Sequence, residues 1–145
     1  MSPSGEHAAV SFEQKIPSCA DDAESLCLIV RGVLQTNGLS PYSFPIELLA
    51  RECLANAVNH GNGNDPAKSI VLQLRAGRAR IRLQVTDEGA GFDWQKAMQK
   101  TSSTRKTSGR GLQLYTLYAA RIRFNRCGNR ITLWFDKKKR TGNGD

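Results

Sequence analysis

The sequence predicts an α/β (α+β) two-layer sandwich: a mixed, mostly antiparallel sheet covered on one face by three helices. Three observations carry this. Residues 69–75 and 78–86 alternate apolar and polar side chains with period two, the pattern of strands with one covered and one wet face. Two helical periods precede them, at 21–36 and from Ser43 and Pro45 to about His60. A third helix, apolar nearly all round at 111–120 and therefore read as buried, leads into a closing pair of short strands.

Residues 10–16 read as the first strand, closed by Pro17. The helix at 21–36 carries Asp21 and Asp22 in its first turn, where the helix dipole favours negative charge, and Asn37-Gly38 is its stop. The second helix ends in Gly61-Asn62-Gly63-Asn64-Asp65-Pro66, a turn-rich loop. In the next two strands Ile70, Leu72, Leu74, Ile81, Leu83 and Val85 take the covered face, with Arg80, Arg82 and Gln84 on the wet one and a hairpin through Ala76-Gly77. Residues 94–99 suggest a short helix, and 100–108, basic and hydroxyl-rich without a core-facing period, a mobile loop. Residues 122–125 and 130–135 read as an antiparallel pair turned at Cys127-Gly128-Asn129. The organisation expected is a leader at 1–9, one domain at 10–136 and a flexible basic tail at 137–145.

Composition narrows the function classes. No apolar run is long enough to cross a bilayer and the leader lacks the features of a secretion signal, so a cytoplasmic protein without a membrane partner is expected. Four scattered cysteines (Cys19, Cys27, Cys53, Cys127), with no CxxC pair, argue against zinc and against a disulfide framework. Cys27 and Cys53 sit among apolar neighbours and read as small core residues. The net charge of +8 admits nucleic acid, an acidic partner or a phosphate-rich ligand. Nucleic acid is disfavoured because Trp94, Tyr115 and Tyr118 do not interleave with Lys and Arg on an exposed face.

Three polar signals carry the chemistry. At about 100° per residue, Glu52, Asn56 and Asn59 share one stripe of the second helix, opposite Ile46, Leu49, Cys53, Ala57 and Val58. A carboxylate and a carboxamide four residues apart offer a general base and a hard oxygen for magnesium, although such a pair alone reads more readily as a solvated helix face. Asp87 shares the parity of Ile81, Leu83 and Val85 and so points toward the covered layer, where a carboxylate needs a donor such as the adenine amine; the bland alternative is a strand-ending turn. Gly89 and Gly91 would let the backbone approach a flat ring. Gly109-Arg110-Gly111 opens the third helix, where freed N–H groups and the helix dipole suit an anion, and Arg105, Lys106 and Arg110 suit a lid over phosphates. A Walker loop and a Rossmann glycine fingerprint are absent.

On the segments 52–61, 87–92 and 109–112 the chain resembles the GHKL ATPase superfamily (gyrase, the Hsp90 chaperones, histidine kinases, MutL), whose Bergerat fold binds ATP with an N box, a G1 box and a G2 box. The small size, the N box ending in His60-Gly61 and the short lid resemble bacterial anti-sigma serine/threonine kinases of the RsbW type. The resemblance implies ATP and Mg²⁺ as cofactors, Asn56 as metal ligand, Glu52 as catalytic base and Asp87 as adenine reader. It places Asn59, His60, Gly89, Gly91, Arg105, Gly109, Arg110, Gly111 and Leu112 around the nucleotide. It further implies a STAS-domain anti-anti-sigma protein as phosphate acceptor, a sigma factor as second partner and a homodimer; direct binding of nucleic acid is not expected, on the aromatic placement above. The alternatives are a non-catalytic ATP-dependent binding module and a stand-alone histidine-kinase-like ATPase domain.

Overall fold

The structure, a computed structural model, describes residues 10–91 and 110–137, with only the backbone described at 110–112. Its elements run β1 (Val10–Pro17), α1 (Ala20–Thr36), a 3₁₀ turn (Ser40–Tyr42), α2 (Ser43–Asn56), a π turn (Ala57–Gly61), β2 (Ser69–Ala76), β3 (Arg80–Asp87), α3 (Arg110–Tyr118), β4 (Arg121–Phe124) and β5 (Arg130–Asp136). The proposed leader, the short helix at 94–99, the loop at 100–108 and most of the basic tail lie outside the described residues.

Period-two alternation built the sheet as expected. Ile70, Leu72, Leu74, Ile81, Leu83 and Val85 are all buried under the helices. The strand order is β1-β2-β3-β5-β4. Every pairing among the described strands is antiparallel, so the mixed component expected of this sheet is not found there. The reason is connectivity: tight turns join β2 to β3 and β4 to β5, and β5 returns between β4 and β3. Arg78, expected to open β3, lies in the hairpin turn, where the Gly77 N–H donates to the Arg80 carbonyl at 2.9 Å.

The helices cover one face through apolar stripes. In α1 these are Ala23, Leu26, Cys27, Val30 and Leu34, and in α2 Ile46, Leu49, Ala50, Cys53 and Leu54, each at helical spacing. Gly38 at φ +73° supplies the left-handed residue that ends the α1 turn. Helix α3 departs from its expected burial. Tyr115 is 2% exposed, but Leu117 is 70% exposed and Tyr118 is also open, because α3 packs on α2 and β4 along one side only. No helix among the described residues is long and apolar enough to cross a membrane.

Candidate nucleotide-binding site

Three segments meet at the C-terminal end of α2. The regular helix stops at Asn56 and the next residues make a π turn. There the Asn62 N–H reaches back five residues to the Ala57 carbonyl at 2.7 Å, and the Asn64 N–H six residues to the Val58 carbonyl at 2.8 Å. Ala57 and Val58 stay buried, which anchors the wide turn, while Asn59 and His60 are exposed. Glu52 and Asn56 lie one helical turn apart, Glu52 half-buried and Asn56 open. Among the described residues Glu52 takes no hydrogen bond or ion pair, and His60 makes none.

The Asn56 carboxamide is oriented. Its nitrogen donates to the Tyr115 hydroxyl of α3 at 3.0 Å, leaving Oδ1 without a partner among the described residues. A magnesium ion fits such a site. It keeps several waters and needs only one hard protein oxygen beside phosphate oxygens. No group of three or more His, Cys, Asp or Glu that could cage a metal gathers among the described residues.

Asp87 ends β3 half-buried, on the parity the strand predicts. Its backbone is held at both ends by Asn129: the Asp87 N–H donates to the Asn129 carbonyl at 2.9 Å, and Asn129 Nδ2 donates to the Asp87 carbonyl at 3.2 Å. Its Oδ1 accepts the Gly89 N–H at 2.7 Å, and Oδ2 remains unbonded among the described residues. Burial pushes the carboxyl above the usual aspartate range, against the opposing pull of that N–H and of Lys68.

The glycines around Asp87 mark close approaches. A Cβ on Gly61 would overlap the Asp87 carboxylate, and one on Gly89 would overlap the Gly61 carbonyl. Gly91, at φ +94°, passes so near the Cys127 carbonyl that no side chain fits. Sequence reasoning gave roles to Gly89 and Gly91 but left Gly61 as the end of a motif. It also missed Asn62, which it placed in a turn-rich loop. Asn62 is 2% exposed. It donates to the Ser69 carbonyl at 3.1 Å and accepts the Glu88 N–H at 2.8 Å, pinning the end of the π turn to β2 and to the residue after Asp87.

Of the third motif, Arg105 and Gly109 lie outside the described residues. Arg110, Gly111 and Leu112 form the first turn of α3, described as backbone only.

An antiparallel sheet with helices on one face, a braced carboxylate at a strand end and a Glu/Asn helix face beside it define an α+β nucleotide-binding domain. A family model described as the histidine kinase-like ATPase domain matches residues 16–135, and the chain belongs to that family. The match bears out the GHKL resemblance and makes ATP the nucleotide. No curated protein matches the chain.

Proposed function

We propose that this chain is a serine/threonine protein kinase of the anti-sigma type, using ATP and Mg²⁺ at the C-terminal end of α2. It transfers the γ-phosphoryl group to a hydroxyl of a STAS-domain antagonist and regulates transcription by partner switching, with a sigma factor as second partner and a homodimer as working form. The observation that carries the reading is the placing of Asp87, half-buried and braced by Gly61 and Gly89, at the end of a strand that packs on the helix carrying Glu52 and Asn56.

Asp87 Oδ2 accepts the exocyclic N–H of adenine, and the close glycine contacts hold its carboxylate in place. Asn56 Oδ1 would hold the Mg²⁺, which when bound would offset the charge of the phosphates. Asn59, His60, Gly91, Arg105, Gly109, Arg110, Gly111 and Leu112 complete the nucleotide environment, as the GHKL motifs imply. Glu52 takes the proton of the acceptor hydroxyl as its oxygen attacks the γ-phosphorus. The bond to the bridging oxygen breaks, and ADP leaves with the electron pair. Positioning and charge neutralisation supply most of the catalysis, and the base about 10²–10⁴-fold.

Incubation with radiolabelled ATP and a STAS protein encoded beside this chain tests the reading. Wild type labels the STAS protein, while Glu52→Ala binds ATP by calorimetry and does not label it. ATP binding without transfer by wild type would favour the non-catalytic module instead.

A further inference from the structure

The sheet face away from the helices carries a charge pattern that the nucleotide site does not use. By register, Lys15, Arg75, Arg80, Arg82, Arg121, Arg123 and Arg130 point to this side, against only Glu13 and Asp136. Of these seven cations only Arg80 has an ion pair among the described residues, with Asp136 at 3.4 Å. The face is thus a source of much of the chain's net charge of +8.

Arg82 and Arg130 are held by hydrogen bonds rather than left to sway. Gln73 is the hub: it donates to Glu13 Oε1 at 2.7 Å and accepts from Arg82 at 3.0 Å and Gln84 at 3.2 Å. Thr132 donates to Gln84 at 3.1 Å, and Arg130 Nε donates to Thr86 at 3.1 Å. Arg82 Nε is buried with no hydrogen-bond partner. Burial, then the like charges of Arg75 and Arg130, draw its guanidinium below the ordinary arginine value. Such crowding without counter-charge is a cost in the isolated chain that an anionic partner would relieve.

We propose that this sheet face, which no described element covers, is a docking surface for the acidic surface of a partner protein, read by arginine forks that match carboxylates. Charge complementarity selects that occupant. A second copy of this chain would bring like charges together. Base stacking needs an open aromatic platform, and the one aromatic on this face, Trp134, has the Arg121 guanidinium over its ring at 5.1 Å. A membrane surface needs a set of apolar side chains to insert, and by register the described strands offer mainly Val71 and Trp134 on this face. Five strands about 4.8 Å apart, about 26 Å long except for the shorter β4, give a projected area on the order of 500 Å², the scale of a small protein interface. The inference stands on the register and charge of the sheet and does not depend on the kinase reading.

The test uses the full chain and a fluorescein-labelled oligoglutamate peptide in anisotropy titrations at low salt. Arg75→Glu with Arg123→Glu reverses two exposed charges on the face. Arg78→Glu with Arg126→Glu makes the same change in net charge in the hairpin turns. The face pair is expected to lose roughly tenfold or more in affinity and the turn pair at most about twofold, with binding weakening as salt rises. Equal loss in both pairs, or no binding by wild type, overturns the proposal. So does tighter binding of oligothymidylate or of phosphatidylglycerol vesicles than of oligoglutamate. Thermal melts of both pairs confirm that the variants compared are folded.

Discussion

The Asn56 carboxamide nitrogen donates a hydrogen bond to the Tyr115 phenol across 3.0 Å, tying the end of α2 to α3. Burial raises the Tyr115 hydroxyl well above its ordinary value, so the phenol stays protonated through the working pH range. Tyr115→Phe keeps the ring and removes the acceptor, freeing the carboxamide to rotate away from the cleft. ATP affinity in Mg²⁺ is expected to fall about fivefold, the worth of ~1 kcal/mol for one hydrogen bond. Affinity in EDTA is expected to stay as in wild type. Calorimetry in both buffers decides the point, since equal losses would mean that Tyr115 acts through packing and not through the ion ligand.

Gly61 and Gly63 separate stability from binding. Neither tolerates Ala well, for different reasons: a Cβ on Gly61 overlaps Asp87, whereas Gly63 has open space but a φ of +62°. Gly63→Ala is expected to cost about 1 kcal/mol of stability through backbone strain and to leave ATP affinity intact. Gly61→Ala is expected to cost about 1–3 kcal/mol by overpacking and to weaken ATP roughly tenfold or more by displacing the Asp87 carboxylate. Urea unfolding and calorimetry on the two variants check this. Unchanged ATP affinity in Gly61→Ala would remove Asp87 from the pocket.

These two glycines also show how far the sequence could be read. Strand alternation placed Asp87 on the inward parity, because period two leaves each residue only one face to take. Helical periodicity likewise placed Glu52 and Asn56 together and sent Ala57 and Val58 inward. The π turn was not legible. Its residues continue a good helical pattern, and only backbone bonds to Asn62 and Asn64 reveal the extra residue in the turn. Asn62 stood among Gly, Asn, Asp and Pro, a composition that signals a solvated loop whether or not one side chain turns inward. Helix α3 misled in the opposite way. Composition counts apolar residues but does not say how many sides are covered, and Leu117 is left outside.

Asn62 supplies a stability prediction that is independent of any nucleotide. Its side chain satisfies the Glu88 N–H and the Ser69 carbonyl from a buried position. Asn62→Ala leaves these groups without that partner, and each unsatisfied buried group costs about 1–3 kcal/mol. A loss of about 2–3 kcal/mol is expected, seen as a Tm lower by roughly 6–12 °C for a domain of this size. ATP affinity is expected to fall as well, because Glu88 follows Asp87 directly. A melt within a degree or so of wild type would show that water replaces both bonds.

Asp87 ties stability and binding to pH with opposite signs. Its native carboxyl is raised by burial, so the folded chain holds the proton more tightly than the unfolded chain does. The stability it contributes is therefore fully present below the unfolded value, about 3.9, and is lost as pH rises through the raised native value. At neutral pH the ionised, half-buried carboxylate is a cost to the apo fold. Asp87→Asn removes that cost while its amide oxygen still accepts the Gly89 N–H, so apo Tm at neutral pH is expected to rise slightly. The gain should vanish at pH below about 4, where the wild-type carboxyl is protonated too. ATP binding runs the other way: wild-type affinity should decline as pH falls through the native Asp87 value, and Asp87→Asn should bind weakly at every pH. Melting curves and calorimetry across this pH range test both halves. A lower apo Tm for Asp87→Asn at neutral pH would mean that the attraction of Gly89 and Lys68 for the charge outweighs its burial.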